Sequence, residues 1–479
     1  MITLDDLRTA LPKAAQARVV GDATRPVAAI THDSRAVTPG GMFACLRGEH
    51  FDGHDFAAAA VDAGATSLLV DHPLSLDESA VSQLVVADTR RALGTVASAV
   101  FGNPSTSLRV IGITGTNGKT TTSALLASIL RAAGDPTGVI GTLSGAHTTP
   151  EAPELQARLA SMHAEGDLSV VMEVSSHALA LHRADGIRFD AAVFTNLGRD
   201  HLDLHGTQEE YFRAKASLFE PGRAVVGVVN VDDVHGRLLF DAAPIEMVPF
   251  SREDAGADVT VTASSLRFTW RGVRLDVPIG GTFNLMNAIA AATTAAAVGI
   301  GIDAIVTGLA TAPAVPGRFE RVLTSDGTAT AIDVVVDYAH TPDGLEEVIA
   351  AGGAVVGERG RVIVVFGAGG DRDRDKRPAM GAVAARLADI AVVTSDNPRS
   401  EDPRAIIDAV VAGIGADDRG RVEVVVDRAD AIKTAITLAE PGDMVIIAGK
   451  GHETTQTIGS EVLPFDDREV ARKVLEGRA

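Results

Sequence analysis

Cysteine is nearly absent: Cys45 stands alone among 479 residues. One thiol forms neither an internal disulfide nor a thiolate-ligated metal cluster within the chain, and the cytosol is the natural compartment for such a sequence. Basic side chains are in deficit, 43 against 63 acidic, for a net charge of −20. That balance argues against a broad nucleic-acid-binding surface, which needs excess Lys and Arg against the phosphates. Local basic pockets for small phosphorylated ligands remain compatible with it. Long apolar runs are missing as well, since no stretch reaches the about 18 residues of a membrane span. The nearest, Ala288 to Ile302, is Ala-rich, interrupted by Thr293 and Thr294, and reads as a buried helix. The opening Met-Ile-Thr-Leu-Asp-Asp lacks a basic n-region and an apolar h-region, so no signal peptide is expected. The chain shows no repeat of solenoid period and no low-complexity tract.

What is present is a globular composition, 46% hydrophobic and 22% charged. At roughly 150 residues per domain the length predicts about three domains. Residues 1–102 carry short β-like runs at Val27–Ile30, Thr66–Val70 and Leu84–Val86 around an Ala-rich helical stretch, Asp55–Ala63. Residues 103–315 open with a strand, Leu108–Ile113, and continue with strand-like runs at Ser169–Val174, Ala191–Phe194 and Val225–Asn230. Ala312 to Arg318 has the Pro/Gly texture of a linker. Residues 316–479 then hold five further runs, Val334–Asp337, Val362–Phe366, Ala391–Thr394, Val422–Val426 and Met444–Ile447. Strands alternating with helical segments predict an α/β chain built on mostly parallel sheets.

The strongest local signal is Gly115-Thr116-Asn117-Gly118-Lys119-Thr120-Thr121, which follows the strand and precedes a helix with Leu125, Leu126, Ile129 and Leu130 on one face. Glycines let the backbone curl so that its N–H groups point at phosphate oxygens, and the helix N-terminus adds partial positive charge. Lys119 is placed to reach the terminal phosphates and Thr120 to ligate magnesium. The common phosphate-loop pattern asks for Gly six positions before the Lys, where this chain has Ile113, so the loop is a shorter variant.

Glu173 ends the strand Ser169–Glu173, at the edge where parallel sheets bind ligands, and is a candidate for holding a nucleotide-bound magnesium. Taken alone, a solvated strand-end Glu is the commoner reading. Thr195 to Asp203 is dense in Asn, Asp and His after another apolar strand, and in a chain with a phosphate loop that context favours a ligand role for His201. Lys215, by contrast, lies in a helical stretch whose spacing buries Phe212 and Phe219, and that spacing assigns it no function.

In order along the chain, the Gly115–Thr121 loop, Glu173 with Val174-Ser-Ser-His177, Asn196 to Asp203 and Tyr338-Ala-His-Thr-Pro342 resemble the Mur ligase family. The resemblance covers essentially the whole chain. It implies three domains: an N-terminal α/β domain for a uridine nucleotide, a central phosphate-loop ATPase with a parallel sheet, and a C-terminal Rossmann-like domain for the incoming amino acid. It also implies a cytoplasmic monomer that uses ATP and Mg2+ to add the third residue of the peptidoglycan stem peptide to UDP-N-acetylmuramoyl-dipeptide. Residue by residue, Gly115 to Thr121 match the ATP loop, and Thr120 and Glu173 match magnesium ligands. His201 matches a ligand of a second magnesium. Lys215 matches a lysine carried as a carbamate (N6-carboxylysine), an anion able to hold that second metal. Asn287 matches a residue near the adenine, and Asp337 and His340 match positions near ATP. Ser34 matches a uridine contact, while Thr148, Thr149, Ser175 and Arg183 match contacts to the muramoyl peptide.

Asp396-Asn397-Pro398-Arg399 resembles the signature of members that select meso-diaminopimelate, with Arg372, Gly449 and Glu453 in the same pocket. A guanidinium at Arg399 suits the second carboxylate of that amino acid, which lysine lacks. Three residues depart from the usual family pattern: His147 for Asn, Gly198 for Thr or Ser, and Asp375 for Gly. Rival readings are lysine addition, a folylpolyglutamate-type or cyanophycin-type ligase, and a non-catalytic binder of the UDP-sugar peptide.

Overall fold

The computed structural model describes residues 2–48, 50–200 and 202–478, over which three mostly parallel sheets follow one another along the chain. The first has the strand order Arg18–Val20, Ser82–Val85, Ser67–Val70, Met42–Ala44, Ile30–Thr31, with only the outermost pair, Arg18–Val20 and Ser82–Val85, antiparallel. Leu4, Leu7, Leu93 and Val96 of helices Leu4–Ala10 and Thr89–Val100 pack on one face. Ala57 and Ala60 of helix Ala57–Asp62 pack on the other. The β-like run at 27–30 divides into Pro26–Val27 and Ile30–Thr31, because Ala28 and Ala29 turn to hydrogen-bond Gly40 and Met42.

The central sheet runs Glu246–Phe250, Ala224–Asn230, Phe189–Phe194, Arg109–Thr114, Ser169–Glu173, Thr137–Ile140, every neighbour parallel. Arg109–Thr114 lies in its middle. The chain leaves that strand first toward one edge and later toward the other, so its carboxyl end is a topological switch point, where such sheets open a crevice for ligands. Helix Lys119–Ala132 starts there. Its Leu125, Leu126, Ile129 and Leu130 are fully buried against the Ala-rich helix Asn284–Ala297 and the sheet. Each contributes about 1.5–3 kcal/mol relative to exposure, so tertiary packing rather than the loop's own hydrogen bonds anchors the loop. Alanines at 288, 291, 292 and 295 let the two helices approach closely. A three-stranded antiparallel sheet, Thr260–Val261, Leu266–Trp270 and Val273–Val277, closes the base of this core with the buried Trp270, and the sequence reading had no place for it.

The third sheet runs Glu320–Arg321, Asp333–Asp337, Met444–Ala448, Val362–Phe366, Ile390–Val393, Val422–Val424, antiparallel only at the first pair. The terminal helix Asp467–Arg478 is tied to it by the fully buried pair Arg428–Asp467, at 2.7 Å. Arg428 also donates to the Ala448 carbonyl at 3.0 Å, fixing the carboxyl end of a central strand.

Candidate active site

The phosphate loop is shaped by its neighbours. Gly115 sits at φ +148°, and a Cβ there would overlap Thr195 Oγ1. Gly118, at φ +85°, begins the helix, and a Cβ there would overlap Asn287 Oδ1. Thr116 N–H donates to the Asn196 carbonyl and Asn117 N–H to Asn196 Oδ1, both at 2.9 Å, while Thr195 Oγ1 donates to the Asn117 carbonyl at 2.6 Å. Thr195 and Asn196 are thus braces of the loop. Lys119 Nζ curls back to the Gly115 and Thr116 carbonyls at 2.9 and 2.8 Å. Burial pushes its ammonium pKa down, opposed by the charges of Glu173 and Asp200.

Glu173 is 2% exposed, so the solvated strand-end reading does not hold. Its carboxylate accepts from Thr142 N–H at 3.0 Å and from Thr142 Oγ1 at 3.1 Å, both neutral donors. Thr142 Oγ1 in turn meets Thr148 Oγ1 at 3.0 Å. Thr149 Oγ1 donates to the Glu173 carbonyl at 2.9 Å and accepts from Ser175 N–H at 3.0 Å. Ser175 Oγ caps the following turn by accepting from Ala178 N–H at 3.1 Å. Arg183 donates to the Thr149 carbonyl at 3.3 Å and pairs with Glu151 at 2.9 Å, and Glu151 also pairs with Arg90 of the first unit at 2.7 Å. Thr148, Thr149, Ser175 and Arg183 therefore gather around Glu173, with the Thr149 hydroxyl engaged in positioning its neighbours.

Lys215 requires a correction. Helical spacing left it on an outer face, yet it is 1% exposed. Helix Gln208–Ala216 turns Tyr211 and Lys215, four residues apart, toward the phosphate loop. Lys215 Nζ donates to the Gly115 carbonyl at 2.8 Å and lies 4.4 Å from the Tyr211 ring centre. Two lysines thus converge on one carbonyl oxygen. Burial first, and the Lys119 charge second, push the Lys215 pKa well below its ordinary value. His201 lies outside the described residues; Asp200, beside it, lines the cleft.

That cleft is a cavity of about 250 Å³ between the central and third units, lined by the loop, Thr148, Glu173 and Asn287 on one side and by Asp337, Tyr338 and His340 on the other. Thr120 and Glu173 present hard oxygen donors to it, the donor type that Mg2+ takes, and the Glu173 carboxylate has only neutral hydrogen-bond donors, so the residues fit such an ion. Asp337 accepts from Phe319 N–H at 2.7 Å and Ala339 N–H at 2.8 Å, and burial pushes its carboxyl pKa up despite Arg318. His340 Nδ1 meets the Tyr338 carbonyl at 2.8 Å; burial and the Lys376 charge push its imidazole pKa down.

Sequence reasoning missed two cleft residues, Arg318 and Glu347, and Lys376, which backs His340. Arg318, within the supposed linker, stacks 4.5 Å from the Tyr338 ring centre and donates to Thr120 Oγ1 at 3.3 Å. Lys376 donates to the His340 carbonyl at 2.9 Å. Glu347 accepts from the Asn117 side-chain amide at 3.3 Å across the two units, and its carboxyl is pushed up to about 7 by burial in the cleft and by Asp337 and Asp343. A basic residue inside a Pro-Gly turn was the one available signal, for Arg318. The Gly198 departure also finds its reason. Asp343 Oδ2 accepts from Arg199 N–H at 3.0 Å and would lie 2.9 Å from any Cβ at 198.

The residues of the diaminopimelate signature cluster at the carboxyl edge of the third sheet, apart from that cleft. Arg399 adopts φ +51°, its N–H donates to the Thr457 carbonyl at 3.1 Å, and its guanidinium reaches the Gly370 carbonyl at 2.6 Å. Asn397 donates to Glu453 at 2.8 Å, and the fully buried Lys450, also missed, bridges Asn397 at 3.2 Å and Glu453 at 3.0 Å. Burial alone would raise the Glu453 carboxyl pKa; Lys450 and Asn397 reverse this and hold it below its usual range. Asp396, buried beneath Gly449, is pushed up by desolvation. Pro398 lies between Asn397 and Arg399, and its carbonyl packs on Gly370. Arg372 is exposed at the rim. Ser34 is not part of either site; it opens the turn Ser34–Ala36 after the edge strand Ile30–Thr31 of the first sheet. No helix among the described residues is long and apolar enough to cross a membrane.

Three family descriptions match the chain: "Mur ligase family, catalytic domain" over residues 26–101, "Mur ligase middle domain" over 113–295, and "Mur ligase, glutamate ligase domain" over 317–451. A UDP-N-acetylmuramoyl-L-alanyl-D-glutamate--2,6-diaminopimelate ligase of Streptomyces avermitilis is 45% identical, covering 98% of this chain and 97% of the relative. A ligase of the same name from Gloeobacter violaceus is 46% identical over 94% of each. A solved structure of a UDP-N-acetylmuramoyl-L-alanyl-D-glutamate--2,6-diaminopimelate ligase superposes with a TM-score of 0.69 at 32% identity, covering 100% of this chain and 99% of the other.

Proposed function

The chain belongs to the Mur ligase family, and from that premise we propose that it is an ATP-dependent ligase joining meso-diaminopimelate to UDP-N-acetylmuramoyl-L-alanyl-D-glutamate. The observation that carries the reading is the pairing of two sites. A phosphate loop and a buried carboxylate share one cleft with Arg318 and His340 of the third unit, and the Arg399 guanidinium lies at that unit's own sheet edge. We assign residues 1–102 to the uridine nucleotide, 103–315 to ATP and 316–479 to the incoming amino acid.

The substrate carboxylate attacks the γ-phosphorus of ATP, ADP departs, and an acyl phosphate forms. The amine of diaminopimelate attacks the acyl carbon, phosphate leaves from the tetrahedral intermediate, and the amine proton is released. Two anions meet in the first step, so the chain must supply positive charge. Lys119, the loop N–H groups and Arg318 do this along the phosphates. Thr120 and Glu173 would hold a Mg2+ ion, and His201 with Lys215 as a carbamate would hold a second; when bound, these ions would screen phosphate charge. Burial and the Lys119 charge lower the Lys215 pKa, which favours the neutral amine that carbamate formation requires, and the product anion would offset the Lys119 charge. The His340 imidazole, pushed toward its neutral form, lines the cleft without adding charge. Walls from two units exclude water, which would hydrolyse the acyl phosphate. Arg399 binds the distal carboxylate of diaminopimelate bidentately, and Thr148, Ser175 and Arg183 bind the muramoyl peptide near Glu173.

The test is phosphate release with ATP and the UDP-muramoyl dipeptide, offering diaminopimelate, lysine and ornithine in parallel, with Lys119→Ala as the inactive control. Release with diaminopimelate alone is expected. Preference for lysine removes the Arg399 argument, and glutamate addition to folate in the same assay replaces the whole reading.

A further inference from the structure

Outside the cleft, three metal-ligating side chains of the first unit converge. His54 lies in the turn Gly53–Phe56, and Asp71 and His72 directly follow the strand Ser67–Val70. His54 Nε2 is 3.3 Å from Asp71 Oδ1, and His72 Nδ1 is 2.5 Å from that same oxygen. One donor atom from each of the three side chains lies within 4.8 Å of the others. Two imidazole nitrogens and one carboxylate oxygen are the donors of Zn2+ and its first-row neighbours, in contrast to the all-oxygen set that suits Mg2+.

The two better-buried ligands are already oriented from behind. His54, its side chain 5% exposed, has Nδ1 at 2.5 Å from Asp52 Oδ1. A bound ion would take Nε2, with the Nδ1 proton directed at that carboxylate. Nε2 accepts a long hydrogen bond from the Asp71 N–H at 3.4 Å, which the ion would displace. Asp71 Oδ2 accepts from Arg47 Nε at 2.7 Å and Oδ1 from Arg47 Nη2 at 3.3 Å, so the guanidinium fixes the carboxylate with Oδ1 on the side of the histidines. His72 is stacked on His54 with ring centres 4.7 Å apart, and its side chain is 50% exposed, so it is free to rotate its nitrogen onto an ion. Two carboxylates, Asp52 and Asp71, face the single guanidinium of Arg47, an excess of acidic over basic side chains that a bound cation offsets.

We propose that His54, Asp71 and His72 form a binding site for a zinc-class divalent ion, with Asp52 and Arg47 as its orienting residues. The ion ties the turn Gly53–Phe56 to the end of strand Ser67–Val70. The site is on a different unit from the phosphate loop.

The test titrates Zn2+ into the full-length chain with Mg2+ in excess, reading heat, the visible spectrum of Co2+ as a substitute ion, and the melting temperature. The parent binds one equivalent that His72→Ala and His54→Gln lack. Asp52→Asn weakens that equivalent by about 10- to 100-fold, as loss of an outer-shell carboxylate does. Zn2+ raises the melting temperature of the parent and leaves that of His72→Ala unmoved, because an ion that binds only the folded state stabilises it. His72 is half exposed, so its variant melts like the metal-free parent. A parent that takes up no Zn2+ overturns the proposal. So does an equivalent that persists with unchanged affinity in both histidine variants, which would belong to other histidines of the chain.

Discussion

Removing the Arg399 guanidinium tests substrate selection directly. Arg399 is half-buried, spends one N–H on the Gly370 carbonyl, and has its remaining donors to present to a carboxylate. Truncating one partner of such a desolvated, charge-assisted pair costs about 2–5 kcal/mol. Arg399→Ala should therefore lower kcat/KM for diaminopimelate by about 30-fold to several thousandfold, at 1.36 kcal/mol per factor of ten. Lysine has no distal carboxylate, so its low kcat/KM should be almost unchanged and the preference between the two should collapse. Arg399→Lys keeps the charge without the fork and should fall between parent and Ala. The backbone provides an internal control. At φ +51° a non-glycine residue carries about 1–2 kcal/mol of strain. Arg399→Gly should thus melt higher than Arg399→Ala while being equally poor with diaminopimelate, which separates stability from recognition. Steady-state kinetics with both amino acids, beside thermal melts of the three variants, make the measurement. An Ala variant whose kcat/KM for diaminopimelate matches the parent, or falls equally for lysine, refutes the reasoning.

Other expectations are as direct. Gly115→Ala would drive a Cβ into Thr195 Oγ1 from a conformation open only to glycine, so nucleotide affinity measured by calorimetry should fall by about 5- to 150-fold, at about 1–3 kcal/mol for overpacking; the added Thr195→Ala substitution should restore part of it, and no recovery would place the clash elsewhere. Lys215→Ala should be nearly inactive and regain turnover with a short carboxylic acid, and a lysine that takes up no isotope-labelled CO2 by NMR would end the carbamate assignment. Glu347 gains its negative charge as pH rises through about 7, beside the phosphate path, so KM for ATP should rise from pH 6 to pH 8. Glu347→Gln should flatten that rise, and an identical profile in the variant would remove Glu347 from nucleotide binding.

Local chemistry alone made the phosphate loop legible. Glycines between an apolar strand and an amphipathic helix admit few alternatives, and the structure has the strand Arg109–Thr114 and the helix Lys119–Ala132 at that place. The same held for the α/β alternation, because buried parallel strands are written as continuous apolar runs. Resemblance, rather than spacing, singled out the Asp396–Arg399 signature. Lys215 shows where local reading stops. Period and composition make it a surface lysine, and only the packing of its helix against the loop turns it inward, onto a carbonyl a hundred positions earlier. Arg318 and Lys450 are similar cases: a residue in linker texture and one in a glycine-flanked strand end became a cleft wall and a buried bridge when distant strands were brought side by side. The antiparallel sheet at 260–277 escaped notice because its strands are short and its burial comes from a core built by other segments. Sequence thus specified what each segment is, since hydrogen bonding and periodicity act over a few residues. Which charges meet, and hence which way the Lys215 ammonium and the Glu347 carboxyl are pushed, was settled by tertiary contact, because burial and Coulomb forces depend on neighbours in space.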